Sequence, residues 1–475
     1  MLAALAGAGC TTSPPPREPA PRDVAVRATW STNADSSPTI LNWWRTFGDE
    51  DLDSTVAAAL SGNLDLRAVA ARIAIASGQA GVSYAGALPQ VSAGASASRQ
   101  RSSVRVPEAG GGEKRDVLRS NSFRLSLDVS WELDVWGRIR AQNRAANAGL
   151  QAAKADYAGA RLSLAGQAAK AWLQLTEAKL QVELAQETVK SFAATERRAS
   201  DRVAAGIQPP SDRHLARTNH ASARELLQLR LQAQDAAKRR LEVLLGRYPS
   251  GAIKGGATLP SLPPTPPMGF PAEILRRRPD LVAAERRLAA SLQDVEAAEK
   301  AFYPRLSLTT SGGLSSSELK DLFSAESLIW TVAGNLVQPI FEGGRLWAQL
   351  DVSRGRQAEA SALFAQRVLD ALGEVERFLR AEQFLALRQV ALEEAAQEAL
   401  AAVAVTENRY GQGVESFIVV LESQRRALSA QSALISLRRE RLETRVDLHL
   451  ALGGGFEEWM PEIPEPEPDT AEELE

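Results

Sequence analysis

Proline interrupts helices and central strands, so the stretches that lack it set the size of what this chain can build. None occurs between Pro107 and Pro209, or between Pro339 and Pro461. Both windows are rich in Ala, Leu, Gln, Arg and Glu, strong helix formers in an amphipathic pattern. The pattern predicts one helix from about Ile139 to Ala205 and a second from about Leu346 to Tyr410, each roughly 100 Å long at 1.5 Å per residue. Each is followed by a glycine break, Gly206-Ile207-Gln208-Pro209-Pro210 and Gly411-Gln412-Gly413-Val414. A return helix then ends at Leu245-Gly246 or Leu452-Gly453, with glycine as the helix stop. In the last helix Leu421, Leu428, Ile435 and Leu442 recur every seven residues, the spacing of a coiled-coil seam. Antiparallel coiled-coil hairpins are the expected result.

The chain is an internal duplication. Asp65-Leu66, Ala68, Arg72, Ala74, Pro89 and Ser92 match Asp280-Leu281, Ala283, Arg287, Ala289, Pro304 and Ser307 at a constant shift of 215. Later landmarks, Gly137-Arg138, Gly206 and Leu245-Gly246, match Gly344-Arg345, Gly413 and Leu452-Gly453 at a shift of 207. The expected domains are 43–246 and 272–453, joined by a Pro-rich linker at 247–271. Residues 1–10 read as a lipobox, 11–42 as a tether, and 454–475 as an acidic, disordered tail.

Between the short and long helices of each copy the period changes from helical to two. From Phe123 to Val135 the odd positions (Phe, Leu, Leu, Val, Trp, Leu, Val) are apolar and the even ones polar. The second copy repeats this with Leu328, Trp330, Val332 and Leu336 against Thr331, Ala333 and Asn335, and the preceding strands carry Val91, Ala93, Ala95 and Leu306, Leu308. Trp131, Trp136, Tyr303, Trp330, Phe341 and Trp347 lie in or beside these strands, as an interfacial girdle requires. No run of about 18 apolar residues exists, so a membrane crossing has to use strands. On the strands alone a half-buried soluble sheet is the alternative, but it gives no reason for coiled-coil segments of this length. In a membrane, four strands cannot close a barrel, so several copies must contribute to one.

Composition narrows the function. With 55 Lys and Arg against 58 Asp and Glu, there is no electrostatic reason to expect nucleic acid. The scattered His214, His220 and His449, three methionines and a single cysteine offer no metal site, no cofactor is indicated, and no catalytic set of Asp, Glu, Ser or His assembles. Cys10 closes the run Leu5-Ala6-Gly7-Ala8-Gly9 before a Thr- and Pro-rich segment, which resembles a lipoprotein cleavage site where the cysteine is acylated. The charged n-region of a signal peptide is missing, so the given start lies downstream of the true one or the sequence has been trimmed.

Three motifs carry a family resemblance: the run from Phe270-Pro271-Ala272-Glu273-Ile274-Leu275 through Arg276-Arg277-Arg278-Pro279-Asp280-Leu281 to Glu285, Trp131-Glu132-Leu133-Asp134-Val135-Trp136-Gly137-Arg138, and Gln338-Pro339-Ile340-Phe341-Glu342-Gly343-Gly344-Arg345. They resemble those of the outer-membrane efflux lipoproteins of the TolC superfamily, over about Trp43 to Gly453. The resemblance implies a mainly α fold with membrane β: a homotrimer whose helices form an α-barrel and whose four strands per chain give a 12-stranded β-barrel in outer-membrane lipid. It also implies a periplasmic membrane-fusion adaptor and an inner-membrane RND-type transporter as partners, and a passive exit duct for drugs or other small molecules. An outlet for type I protein secretion shares the fold, and a coiled-coil scaffold without membrane strands is the other alternative.

Several residues have structural explanations. Arg276 to Arg278 are expected to make local ion pairs at a helix start, and Asp65 and Asp280 to favour first helical turns. Gly343-Gly344 is a strand-to-helix turn, because no Lys-Ser/Thr follows to make a phosphate loop. The helix-to-helix turns form the expected periplasmic tip. There Asp212 and Glu415, at nearly equivalent positions, are gate candidates, with Arg213 and Arg409 as restraining partners. Gly206, Ile207, Gly413 and Val414 are the candidates for adaptor contact.

Overall fold

The computed structural model describes Trp30 and residues 42–108, 111–267 and 271–454. Cys10, nearly all of the expected tether, Phe270 and residues 455–475 lie outside them. After a 3-10 turn at Trp43–Phe47 the order is α1 (Glu50–Gly62), α2 (Leu64–Ala85), β1 (Gln90–Glu108), β2 (Gly112–Leu133), α3 (Arg138–Ala204) and α4 (Pro210–Leu244). The second half follows as α5 (Ile274–Arg277), α6 (Pro279–Lys300), β3 (Arg305–Ser316), β4 (Leu328–Val337), α7 (Arg345–Gly411) and α8 (Phe417–Ala451). The long helices α3 and α7 are 67 residues each, within a residue of the expected bounds, and the return helices α4 and α8 are 35 each.

Within the described residues the chain forms two compact units: Ala74–Ala152 with Glu285–Leu363, which holds the sheet, and a helical unit of the residues up to Ile73, Ala153–Ala284 and those from Phe364 onward. The helical unit has the larger apolar core. Trp43, Phe47, Leu52 and Val56 bury against Ala168, Trp172 and Leu173 of α3, Leu241 of α4, and Leu442 and Val446 of α8. Small residues on α3 let neighbouring helices approach. A Cβ on Gly166 would lie 2.5 Å from Leu450.

The duplication extends to individual hydrogen bonds. Asn63, between α1 and α2, donates from Nδ2 to the Leu244 carbonyl at the end of α4 (2.9 Å) and accepts from Leu66 N–H (2.9 Å). Its counterpart 215 residues on is Arg278, between α5 and α6. Arg278 donates to the Ala451 carbonyl at the end of α8 (3.3 Å), 207 residues after Leu244, and pairs with Asp280 (2.8 Å) and Glu374 (2.7 Å). An amide and a guanidinium thus satisfy the same orphan helix-end carbonyl in the two copies. Arg277 pairs with Glu273 at 2.7 Å, so two of the three arginines make ion pairs at this junction.

The strands depart from the expected lengths. β2 ends at Leu133, and Val135 lies in the turn beyond it. The Asp134 carboxylate accepts Ile139 N–H (3.0 Å) and Arg140 N–H (2.8 Å), which satisfies two donors at the start of α3 and takes the chain out of the strand. At the other end the β1–β2 hairpin runs far past the alternating stretch that begins at Phe123, to strands of 19 and 22 residues, against 12 and 10 for β3 and β4. The shift falls from 215 to 207 because the second hairpin, Arg305–Val337, is 11 residues shorter than Gln90–Leu133, while the turn into its long helix is 3 residues longer.

Candidate functional site

The sheet is antiparallel throughout, in the order β1-β2-β3-β4. Its register decides what each face presents. Val91, Ala93, Ala95 and Ala97 of β1 pair with Val129, Leu127, Leu125 and Phe123 of β2. Leu133, Trp131, Val129 and Leu125 pair with Leu306, Leu308, Thr310 and Leu314 of β3, and these with Leu336, Gly334, Val332 and Leu328 of β4. Directly opposed residues share a face, so one face is apolar across all four strands. The other face carries Ser92, Ser126, Asp128, Ser130, Ser307, Thr309 and Ser311. Leu127 is 54% exposed, Trp330 75% and Val332 67%. A face this apolar and this exposed suits hydrocarbon on one side and water on the other. The 11 paired positions between β2 and β3 match the ~9–11 residues of a tilted membrane strand. Among the described residues no helix is long and apolar enough to cross a membrane.

Aromatic residues gather where strands give way to helices. Trp136 stacks on Tyr303 at 5.4 Å and donates to the Pro304 carbonyl at 2.8 Å, while Phe302 meets Trp347 at 4.9 Å. Phe341 is 87% exposed beside them in sequence. Such amphipathic rings suit the boundary between lipid and water.

The second candidate region is the pair of helix-to-helix turns. Gly206 and Gly413 take φ of 71° and 80°, open to glycine at little steric cost. In the first turn Gly206 N–H donates to Val203 and Ile207 N–H to Arg202; in the second, Gly413 N–H donates to Tyr410 and Val414 N–H to Arg409. Both are Schellman ends that satisfy the last carbonyls of a long helix. They leave Ile207 and Val414 exposed at equivalent positions, 63% and 60%.

The acidic candidates are not equivalent. Asp212 lies inside the first turn of α4 and is buried, whereas Glu415 precedes α8 and accepts from Arg409 at 3.2 Å. The shift of 207 that matches the two turns pairs Asp212 with Val419 and Glu415 with Gln208. Arg213 is exposed. Below the turns Ala199, Ala216, Tyr410, Phe417, Val420 and Leu421 form a small apolar cluster. Burial raises the Tyr410 phenol above its ordinary pKa, the Asp212 carboxylate adds to this, and Arg202 and Arg198 oppose it.

Two residues that the sequence reading did not single out hold this end together. The Arg202 guanidinium lies over the Tyr410 ring at 5.0 Å and donates to the Gly411 carbonyl at 3.0 Å, and Arg198 pairs with Glu407 at 3.3 Å. Their i,i+4 spacing on α3 was the available signal. It shows a shared face but not what that face meets. Gln424 adds hydrogen bonds to Glu407 (2.7 Å) and Thr195 (3.1 Å).

Amphipathic membrane strands and paired helices of this length in one chain define a TolC-like membrane-channel subunit. The outer membrane efflux protein family model matches residues 55–247 and 270–454, and the chain belongs to that family. It is 32% identical over 445 residues to the pyoverdine export outer membrane protein OpmQ of Pseudomonas aeruginosa, covering 92% of this chain and 94% of that one. It is 31% identical over 464 residues to the outer membrane protein OprJ of the same organism, covering 96% and 95%. The crystal structure of the CmeC outer membrane channel of Campylobacter jejuni is similar with a TM-score of 0.85 at 26% identity, covering 94% of this chain and 95% of that one. The protein is an outer-membrane efflux component, the exit duct of a tripartite pump.

Proposed function

We propose that the working duct is a homotrimer in which each chain adds four strands to one twelve-stranded barrel. The observation that carries this reading is the sheet with one continuous apolar face and two open edges, on β1 and β4. In hydrocarbon an open edge exposes unpaired backbone groups. Joining β4 of one copy to β1 of the next removes every edge. The polar face then lines the lumen. Cargo passes without chemistry, so the chain is a conduit and not an enzyme, and the name of OpmQ favours small-molecule cargo. The implied partners are a periplasmic membrane-fusion adaptor and an inner-membrane RND-type transporter. Acylated Cys10 would add a lipid anchor to the attachment that the barrel provides.

The tip is proposed as the gate and docking end. Ile207 and Val414, with the backbone at Gly206 and Gly413, offer small exposed apolar surface to the adaptor. Asp212 and Glu415 are the acidic gate candidates, Arg409 restrains Glu415, and Arg213 is the exposed cation next to Asp212. The test is conductance of the purified protein in a planar bilayer. Asp212→Ala with Glu415→Ala should change cation selectivity or divalent-ion block; unchanged selectivity and block would remove both from the gate. Absence of any channel conductance from the inserted wild-type protein would overturn the duct assembly itself.

A further inference from the structure

The β1–β2 hairpin continues past its neighbours. β3 pairs with β2 only as far as Phe123, but β1 and β2 remain paired from Ser98↔Ser122 to Glu108↔Gly112. At about 3.3 Å per residue this extension is roughly 35 Å of ribbon, at the end of the sheet opposite the junctions with α2 and α3. Its two faces continue those of the membrane sheet. Beyond Ala97↔Phe123, the last rung of the apolar face, come Arg99↔Asn121, Arg101↔Arg119, Ser103↔Val117 and Arg105↔Arg115.

Five arginines therefore follow the apolar band on the same face, and two rungs set arginine directly against arginine. Like charges directly opposed across strands are destabilising. Asp116 pairs in register with Val104 on the opposite face and accepts Val117 N–H at 2.8 Å, and the register sets Glu113 one same-face rung past Arg105–Arg115, so the unmixed run of arginine is Arg99, Arg101 and Arg119. All five arginines are exposed. The shorter second hairpin has no counterpart. Its connection instead carries Lys320 paired with Glu318 at 2.8 Å.

We propose that this arginine face binds phosphate-bearing lipid headgroups of the outer leaflet. The proposal rests on the barrel placement above: a face that meets acyl chains along its apolar band meets headgroups at the next rungs. Arg99, Arg101 and Arg119 stand two to four residues beyond the band, about 7–13 Å along the strand. Guanidinium groups there can bind phosphate bidentately, and an intervening anion turns the repulsion within the Arg101–Arg119 rung into shared attraction. Three copies in a trimer would arrange such faces around the outer rim of the barrel.

The test uses the full-length protein reconstituted in phosphatidylcholine nanodiscs containing lipid A, dephosphorylated lipid A or phosphatidylglycerol. Retained lipid is counted by native mass spectrometry after release from the disc. The wild type is expected to retain lipid A and not its dephosphorylated form. Arg99→Ser combined with Arg101→Ser, Arg115→Ser and Arg119→Ser should lower retention at least about tenfold, the four Arg→Lys exchanges should keep part of it, and Lys320→Ser should leave it unchanged. Because removing like-charge rungs relieves repulsion, the serine variant should insert and assemble as the wild type does, which the same spectra report. Equal retention by the inserted serine variant, or of dephosphorylated lipid A, would overturn the proposal. So would complete displacement of lipid A by millimolar inorganic phosphate, or equal binding of a short DNA oligonucleotide, since either would mark a general anion site. Failure of the wild type to insert would count against the barrel placement, and with it against this lipid site.

Discussion

His449 on α8 is 1% exposed, its ring stacks on Trp43 at 5.2 Å with planes 17° apart, and neither ring nitrogen has a protein hydrogen-bond partner. Burial, helped by the positive charge of Arg445 one turn away, pushes its pKa down to about 3. The sign follows from linkage: the unfolded chain binds a proton near pH 6.5 and the folded one does not, so the neutral ring's contribution is complete above 6.5 and is lost as pH falls toward 3. Between pH 7.5 and 5 the loss is about 2 kcal/mol. His449→Phe, which keeps an aromatic ring on Trp43, should flatten the fall in urea midpoint over that range, followed by tryptophan fluorescence. An unchanged slope would show that other groups dominate. Arg278 calls for a different prediction, because it binds two carboxylates and a helix-end carbonyl while buried. Arg278→Ala should destabilise the helical unit by about 3–5 kcal/mol, and exposed Arg276→Ala by no more than about 0.5 kcal/mol, although the two stand in the same run of three. Equal effects on the unfolding midpoint would contradict the assignment.

At the scale of elements, the four helix-end glycines separate backbone strain from collision. Gly206 and Gly413 require positive φ, yet a Cβ on Gly206 meets nothing within 4 Å, and on Gly413 only the Arg202 side chain at 3.6 Å. At the other ends, a Cβ on Gly246 would lie 2.2 Å from the Gly62 carbonyl oxygen, and on Gly453 2.4 Å from that of Arg277. Alanine at 206 or 413 should therefore cost about 1 kcal/mol each. Alanine at 246 or 453 should cost several times more, because the obstacle is backbone. Thermal scans of the four variants check this, and equal losses would contradict it. The long helices were legible because a proline-free window of a hundred residues leaves few alternatives, and the glycine stops were legible from their repeat. The outer half of the first hairpin was not: beyond Phe123 arginine takes the positions that apolar residues held, and the few apolar ones, Val104, Val106, Val117 and Leu118, do not keep to one face. The shared role of Asn63 and Arg278 was also hidden, because unlike side chains can satisfy the same carbonyl. At the tip, sequence placed Asp212 and Glu415 near their turns, but α4 and α8 begin at matching residues, Pro210 and Phe417, and the two acids stand four positions apart in that frame, so Asp212 falls inside a first helical turn and Glu415 before one.

For the whole molecule, the sheet sets the assembly. β1 and β4 each have one neighbour within the chain, and every unpaired backbone group left in hydrocarbon costs several kcal/mol. A single inserted copy would carry two such edges, more than the stability of most domains could offset. Folding of the sheet and association of copies should therefore be one event. Because three successive pairings are antiparallel, β1 and β4 run in opposite directions, and β4 of one copy must meet β1 of the next antiparallel as well. Cysteine cross-linking can read this directly, since Cys10 is the sole native cysteine and Cys10→Ser removes it. In that background, pairs drawn from Val91 to Ala97 and from Leu328 to Leu336 should link into covalent trimers on denaturing gels. The efficient pairs should be ordered so that a cysteine near Val91 finds one toward Leu336, and a cysteine near Ala97 finds one toward Leu328. A parallel order, or links confined to single chains in membrane-inserted protein, would show that the edges are closed in another way.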